Sequence, residues 1–224
     1  ATTAQGAGAI TRRTLTVGTV AAQTKIYDGT TAADAAAFRA TLGNLVTGEE
    51  SSVTATATGA AYNSKDVAQA NAVSYTGVSL TGTGAANYTV ANTAEGAGAI
   101  TKRALTVGAV TAQTKTYDGT TAADAAAFHA TLGNVVAGEE NSVAATAASA
   151  SYNDKSVAGA NTVSYTGVAL TGTGAGNYAV ADTAQGAGTI TKRALTLGEV
   201  TAQTKTYDGT RAAEASKFRA ALGN

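Results

Sequence analysis

The chain repeats itself with a period of 90 residues. Ile10, Ile100 and Ile190 stand in the same local sequence, and residues 11–100 align with residues 101–190 without a gap, differing at 23 positions. This period is longer than the roughly 20 to 45 residues of a stacked solenoid repeat, and it matches the size of a small domain. The repeat therefore predicts tandem small domains, each of which closes its own hydrophobic core.

The same alignment sets the predicted domain boundaries. Residues 11–100 form copy 1, residues 101–190 form copy 2, and residues 191–224 begin copy 3. Residues 1–10 match the end of a copy and are expected to be the tail of a preceding one. Only a short, proline-free segment, such as residues 96–107, separates two copies. Since such a segment leaves little orientational freedom, we expect a semi-rigid rod.

Apolar residues alternate along several segments of each copy, which is the pattern of half-buried strands. In copy 2, Leu105 and Val107 alternate, as do Val163 and Tyr165. The alternation resumes one residue late after Gly167, as a β-bulge at that glycine would require. The pattern predicts a mainly β fold of small, immunoglobulin-like sandwiches.

An alanine-rich segment at residues 120–134 differs from its surroundings. Thr121 and Asp124 have the spacing of a capping box, alanine is the best helix former, and Gly133 suits a helix C-terminus. Phe128 and Leu132 would share one helix face. One short helix per copy is therefore predicted, and with it a β-grasp-like α+β repeat stays open as the alternative fold.

Charge and composition exclude several classes of partner. The chain has 15 basic and 15 acidic residues, and only 13% of its positions are charged. It offers no basic patch for nucleic acid, and no apolar run is long enough to insert into a membrane. A surface rich in Ala, Thr, Ser and Gly favours a secreted protein, while the absence of cysteine leaves the compartment open and means that the fold depends on core packing and strand pairing.

A Tyr-Asp-Gly corner occurs once in every copy. Asp-Gly is a strong turn signal, because glycine accepts positive φ and aspartate bonds its own downstream backbone. We therefore predict that the corner maintains the fold. Its members are Tyr27, Asp28 and Gly29, then Tyr117, Asp118 and Gly119, then Tyr207, Asp208 and Gly209.

No catalytic constellation emerges from the sequence. The single histidine, His129, is replaced by Arg39 and Arg219 in the other copies, and cysteine is absent. These facts exclude triads and thiolate or imidazole metal sites within this sequence. We expect a protein that is not an enzyme and has no cofactor, with Ca²⁺ at a domain junction left open.

A covalent cross-link is a further hypothesis. Lys115 and Asn177, helped by Glu139, have the residue types of an intramolecular amide bond, and Lys25, Asn87 and Glu49 are their counterparts in copy 1. The alternative is an ordinary surface lysine and a loop asparagine. Intact mass distinguishes the two, because the bond releases one ammonia per copy.

The combined signature resembles the YDG repeat of large bacterial surface adhesins. It runs from "ITKRALTV" at Ile100 through "KTYDGTTAA" at Lys115 and "VVAGEE" at Val135 to "VSYTGVALTGTGAGNYAV" at Val163. The resemblance implies a stalk module of a secreted, filamentous-haemagglutinin-type or autotransporter-like protein at the bacterial cell surface, used in attachment and biofilm cohesion.

Two roles remain alternatives: the chain is a structural fibre repeat, as the resemblance implies, or each copy binds a glycan or a host or abiotic surface by avidity. Assembly with other copies of itself into a filament is compatible with either role.

Overall fold

The computed structural model describes residues 3–223, and the fold is mainly β, as predicted. Each complete copy carries ten strands at equivalent positions. The strands of copy 1 are β1 (Arg13–Thr14), β2 (Thr16–Val20), β3 (Gln23–Ile26), β4 (Ala40–Gly43), β5 (Thr54–Thr56), β6 (Gly59–Tyr62), β7 (Ala72–Thr76), β8 (Ser79–Thr81), β9 (Tyr88–Thr89) and β10 (Thr93–Thr101).

The strands of copy 2 follow in the same order, and copy 3 contributes two more. They are β11 (Arg103–Ala104), β12 (Thr106–Val110), β13 (Gln113–Thr116), β14 (Ala130–Gly133), β15 (Ala144–Thr146), β16 (Ser149–Tyr152), β17 (Thr162–Thr166), β18 (Ala169–Thr171), β19 (Tyr178–Ala179), β20 (Thr183–Thr191), β21 (Thr196–Val200) and β22 (Ala220–Gly223).

Each copy builds one four-stranded sheet and three two-stranded ladders. The sheet of copy 1 has the order β3-β10-β7-β6, with β10 parallel to β3 and antiparallel to β7. Its ladders are β1–β9, β2–β4 and β5–β8. Copy 2 repeats this topology with the sheet β13-β20-β17-β16 and the ladders β11–β19, β12–β14 and β15–β18. In copy 3, β21 pairs with β22.

Strand β7 illustrates why these segments are strands. Val73 and Tyr75 are buried, whereas Ser74 and Thr76 on the opposite face are exposed. This period of two is the one that a pleated strand imposes on its side chains. The alternation predicted for Val163 and Tyr165 in β17 is confirmed in the same way, because both side chains are fully buried.

The predicted helix at residues 120–134 is wrong in type and extent. Only Ala125–Ala127 form a single 3-10 turn, in which the Asp124 carboxylate accepts from the backbone N–H of Ala126, and residues 130–133 form β14. Phe128 ends the turn in an extended conformation and packs its ring 4.8 Å from that of Tyr165. Strand pairing and this ring contact outweigh the helix propensity of alanine. The β-grasp alternative depended on this helix and is therefore also wrong.

The predicted bulge at Gly167 is also wrong. Gly167 and its counterpart Gly77 both have a φ of 63° and separate two strands with different partners. In copy 1, β7 belongs to the four-stranded sheet, and β8 after Gly77 pairs with β5. The late resumption of the alternation therefore marks a corner at which the chain leaves one sheet for a ladder. Positive φ makes glycine the favoured residue there.

The compact units of the structure do not follow the sequence copies. Unit 1 consists of the residues up to Gly108 together with Ala130–Thr146 and Val168–Asp182. Unit 2 consists of Ala109–His129, Ala147–Gly167 and the residues from Thr183 onward. Copy 2 therefore contributes to both units, and the chain passes between them five times.

The buried core of unit 1 accordingly combines residues of two copies. Leu105, Val143 and Tyr178 of copy 2 are buried in the same cluster as the core residues of copy 1. The expectation that each copy closes its own core is wrong, because the copy 1 sheet obtains part of its cover from the ladders of copy 2. The copy 1 members are Val20, Tyr27, Phe38, Tyr62, Ala70, Val73, Tyr75, Val78 and Ile100.

A second, smaller cluster of unit 1 consists of Leu15, Val53 and Tyr88. These residues are the copy 1 equivalents of Leu105, Val143 and Tyr178. Within the described residues they pack only against partly buried leucines of copy 1, Leu42, Leu45 and Leu80. The same three positions thus occupy a shared core in one place and a small local cluster in another.

Candidate functional site: the junction between copies

The Tyr-Asp-Gly corner is a tight turn, as predicted from its sequence. In copy 1 the carboxylate of Asp28 accepts hydrogen bonds from the backbone N–H and the hydroxyl of Thr30, both at 2.9 Å. Gly29 has a φ of 79°, and its counterparts Gly119 and Gly209 have φ values of 81° and 76°. A side chain at this position would be strained, which explains the glycine.

A lysine two residues before each tyrosine completes the turn, and sequence reasoning assigned it no such role. Lys25 Nζ donates to Asp28 Oδ1 at 2.8 Å, to the carbonyl of Thr30 at 2.8 Å and to that of Ala32 at 3.0 Å. It lies 5.3 Å from the ring centroid of Tyr62, within the range of a cation–π contact. The recurrence of Lys-x-Tyr-Asp-Gly-Thr was the available signal.

The equivalent turn of copy 2 has the same contacts. Lys115 Nζ donates to Asp118 Oδ1 at 2.9 Å and to the carbonyl of Ala122 at 2.9 Å. The hydrogen bond from Lys115, aided by those from Thr120, lowers the pKa of Asp118 to about 2. In copy 3, Asp208 accepts from Lys205 and Thr210 at 2.9 Å, while Tyr207 is exposed. The turn therefore forms without burial of its tyrosine.

Tyr27 brings the corner of copy 1 into contact with copy 2. Its hydroxyl donates to Glu139 Oε1 at 2.7 Å, and that of Tyr178 donates to Glu139 Oε2 at 2.7 Å. The two rings meet edge to face, with centroids 5.3 Å apart and an interplanar angle of 80°. Lys65 Nζ lies 3.3 Å from Glu139 Oε1. One carboxylate thus joins two tyrosines and a lysine, with Tyr27 and Lys65 from copy 1.

The ionisation of this group follows its surroundings. Burial raises the pKa of Glu139, but hydrogen bonds from Tyr27, Tyr178 and Lys65 outweigh it, so the pKa lies below its usual value. Burial, followed by the hydrogen bond to Glu139, raises the pKa of Tyr27 far above its usual value, and the same causes raise that of Tyr178. The site is therefore stable as a carboxylate facing neutral phenols at neutral pH.

Asn177 makes a second contact between the copies. Its side-chain oxygen accepts from the backbone N–H of Val67 at 2.9 Å, and its side-chain nitrogen donates to Asp66 Oδ1 at 2.9 Å. Asn177 is only 7% exposed, and within the described residues no buried side-chain nitrogen or oxygen lacks a partner. We call this set the junction cluster: Tyr27, Lys65, Asp66 and Val67 of copy 1, and Val136, Glu139, Asn177 and Tyr178 of copy 2.

The structure does not join the three residues of the proposed amide cross-link. Glu139 and Asn177 both belong to the junction cluster. Lys115 instead donates to Asp118, Thr120 and Ala122, and none of its hydrogen bonds within the described residues reaches Asn177 or Glu139. In copy 1, Lys25 donates within its own turn, and Glu49 accepts from Tyr88.

Among residues 3–223, no three side chains of His, Cys, Asp or Glu gather in a way that would hold a metal ion. No helix within that range has the length and apolar character needed to span a bilayer.

The chain is thus built from tandem, mainly β repeats, and its first two copies share a buried core. The family model of the YDG domain matches residues 11–95 and again residues 101–185. The chain therefore belongs to the YDG domain family. No match was found among the curated proteins, and none among the solved structures.

Proposed function

We propose that the chain is a structural stalk or fibre repeat of a secreted bacterial adhesin, without enzymatic activity. In this role it carries load and sets reach at the cell surface, in attachment or biofilm cohesion. Its partners are other copies of itself along the fibre.

The observation that carries this proposal is the shared core of unit 1. Tyr178 and Glu139 of copy 2 close over Tyr27 of copy 1, so consecutive copies are bound by packing as well as by the backbone. Burial of one tyrosine removes on the order of 150 to 250 Å² from water, which contributes several kcal/mol before the entropy cost. A repeat linked in this way resists separation from its neighbour.

The path of the chain adds to this resistance. Copy 2 supplies residues to unit 1 and to unit 2 in alternating segments. Pulling on the chain therefore loads the buried clusters and the strand ladders, because no single linker between the units can extend on its own. This arrangement suits a load-bearing fibre.

The differences between the copies favour a spacer over an aromatic binding module. None of the 23 positions at which copies 1 and 2 differ is buried in copy 1, and they extend along the whole copy. All five aromatic side chains of copy 1 are buried. Copy 1 thus presents no exposed aromatic ring for a sugar, and its surface varies while its core is kept.

Single-molecule force spectroscopy tests the proposal. The chain is tethered through residues at its two ends and extended at constant velocity. We expect discrete force peaks, with unit 1 unfolding at a lower force in Tyr27→Ala and at an unchanged force in the matched variant Tyr117→Ala. Smooth extension without a peak would contradict a load-bearing role.

A further inference from the structure

Each Tyr-Asp-Gly corner contains the dipeptide that isomerises most readily in a protein chain. Asp28-Gly29 and Asp118-Gly119 each place a carboxyl group beside the nitrogen of a glycine, which has no side chain to hinder attack. We propose that these aspartates are latent isoaspartate sites, and that Lys25 and Lys115 keep them unreacted by holding each carboxylate in its turn. This chemical role comes in addition to shaping the turn, and it does not depend on the stalk function proposed above.

The reaction is intramolecular and needs no reagent other than water. The nitrogen of Gly29 bonds to Cγ of Asp28, and the carboxyl OH leaves as water with the amide proton. Water then opens the five-membered imide at either carbonyl. Opening at the main-chain carbonyl of Asp28 leaves a backbone that runs through the side chain, one methylene longer and unchanged in mass. The first step therefore consumes a protonated carboxyl group.

The hydrogen bonds at the corner favour the unreacted carboxylate. Lys25 Nζ donates to Asp28 Oδ1 at 2.8 Å, and the same oxygen accepts from the N–H and the hydroxyl of Thr30, both at 2.9 Å. Hydrogen bonds and ion pairs to a charged group stabilise its charged form. The imide is neutral and keeps only one of the two carboxyl oxygens, so the ion pair with Lys25 is lost as the ring forms. We call this lysine, with its bonds to the carboxylate, the lysine cap.

The capping ammonium is itself held in place. Lys25 Nζ also donates to the carbonyls of Thr30 and Ala32, at 2.8 and 3.0 Å, and lies 5.3 Å from the ring centroid of Tyr62. The side chains of Lys25 and Lys115 are each only 18% exposed. Freely exposed ion pairs contribute little because their side chains are mobile and solvated. The lysine cap differs from these, because the surrounding acceptors fix its ammonium beside the carboxylate.

The corner of copy 2 shows the electrostatic part of the cap. Lys115 Nζ donates to both carboxylate oxygens of Asp118, at 2.9 and 3.1 Å. The hydrogen bond from Lys115, followed by those from Thr120, lowers the pKa of Asp118 from 3.8 to about 2. With this pKa the carboxyl group is protonated about 60-fold less often at neutral pH than an ordinary aspartate. The form that can lose water is therefore scarce.

Isomerisation at Asp28 would act directly on the junction cluster. The neighbouring Tyr27 donates to Glu139 of copy 2. On the other side, a Cβ added at Gly29 would stand 3.0 Å from Val136 Cγ1, so the backbone of the corner lies close against copy 2. An extra methylene between the tyrosine and the glycine displaces one of these contacts. The lysine cap thus protects the attachment of copy 1 to copy 2.

Ageing of the complete chain in neutral buffer tests the proposal. Isoaspartate is measured at each corner in peptides, with a protease that cleaves before aspartate and not before isoaspartate. Lys115→Met keeps an apolar stem and removes the ammonium. Since the Thr120 bonds remain, we expect isoaspartate at Asp118 to accumulate about tenfold faster in this variant. Asp28 in the same molecules should age as in the unaltered chain, and Lys25→Met should give the reciprocal result.

Two controls separate the cap from a general loss of structure. Lys115→Arg retains a charged donor and should keep isoaspartate formation at Asp118 close to that of the unaltered chain. In guanidinium the turn is absent, so the unaltered chain and Lys115→Met should age at the same, faster rate. The proposal is overturned if the folded, unaltered corners react as fast as in guanidinium, or if removal of the ammonium leaves the rate unchanged. Acceleration of both corners by one substitution, or ageing of Lys115→Arg as fast as Lys115→Met, would also overturn it.

Discussion

The corners at Tyr27 and Tyr117 have the same turn and different surroundings. Both turns carry the lysine cap, the aspartate acceptor and a glycine of positive φ. Tyr27 is covered by Glu139 and Tyr178, whereas Tyr117 is 39% exposed. The comparison separates two roles of the motif. Lysine, aspartate and glycine shape the turn locally, and the tyrosine carries the contact with the following copy.

The same comparison explains why the boundaries of the sequence copies do not coincide with those of the compact units. The shared core combines residues of the copy 1 sheet and corner with Leu105, Val143 and Tyr178 of the next copy. A period found by alignment is the same wherever the count begins. Alignment therefore defines the length of the module and leaves its boundary undetermined.

Alanine at the two corners should give the largest difference. Tyr27→Ala removes a fully buried ring and leaves the Glu139 carboxylate without one of its donors, so we expect a loss of about 3 to 5 kcal/mol in the free energy of unfolding. Tyr117→Ala should cost less than about 1 kcal/mol. Urea unfolding followed by circular dichroism measures both.

Hydrogen exchange shows where this loss falls. In Tyr27→Ala, the amides of β7 and β10 in unit 1 should lose protection, while those of β17 and β20 in unit 2 keep theirs. Equal losses in the two alanine variants would remove the distinction between a covered and an open corner.

The carboxylates at equivalent positions provide the second test. Glu139→Gln weakens two phenol hydrogen bonds and an ion pair, whereas Glu49→Gln weakens the single bond to Tyr88. Hydrogen bonds to a charged group contribute about 1.5 to 3 kcal/mol each, and glutamine retains part of this. We expect a loss of about 2 kcal/mol for Glu139→Gln and a smaller one for Glu49→Gln, from the same urea curves. A larger loss for Glu49→Gln would contradict the role of the junction.

Acid should remove the contribution of Glu139. Since its pKa is lower in the folded chain, the unfolded chain binds the proton first as the pH falls. The stabilisation is complete above the ordinary value of 4.5 and is lost as the pH falls through the folded pKa. The difference in unfolding free energy between the unaltered chain and Glu139→Gln should therefore shrink below pH 4.5. A difference that stays constant with pH would show that the charge is not involved.

Asn177 and Asn87 offer a smaller contrast. Asn177→Ala leaves the N–H of Val67 and the carboxylate of Asp66 without their partner in a buried site, so we expect a loss of about 1 to 2 kcal/mol. Asn87→Ala changes an exposed side chain and should stay within about 0.5 kcal/mol. Thermal unfolding of the two variants in parallel is sufficient. Equal shifts in Tm would mean that Asn177 contributes little beyond its local turn.

Local sequence patterns predicted the local structure well. Asp28 and Gly29 predicted the turn, and the alternation of Val163 and Tyr165 predicted a strand. Both structures depend mainly on residues close in sequence. The alanine-rich segment was misread because the ring contact of Phe128 and the pairing of β14 are tertiary. The one-residue shift of the apolar alternation after Gly167 was visible in the sequence. A bulge and a corner between a sheet and a ladder both produce such a shift, so the sequence could not distinguish them.

The junction cluster was harder to predict. Tyr27 was assigned to a turn, and Glu139 and Asn177 were assigned to a cross-link with Lys115, so two residues of the site were selected for a different reason. Tyr27 and Glu139 lie far apart in the chain, and a single sequence carries no signal that pairs them. Their repetition every 90 residues also allowed contacts within a copy and between copies equally well.

The smallest expected effect concerns Lys65. Its side chain is 48% exposed, and its ammonium lies 3.3 Å from Glu139 Oε1, farther than the phenol hydroxyl of Tyr27. Ion pairs this exposed contribute about 0 to 1 kcal/mol and are screened by salt. We expect Lys65→Met to lose at most about 1 kcal/mol in low salt, and the loss to vanish near 1 M salt, where the Debye length is about 3 Å. A loss that persists in high salt would show that the lysine stem packs over Tyr27 and Glu139, so that the junction depends on coverage of the carboxylate more than on its charge.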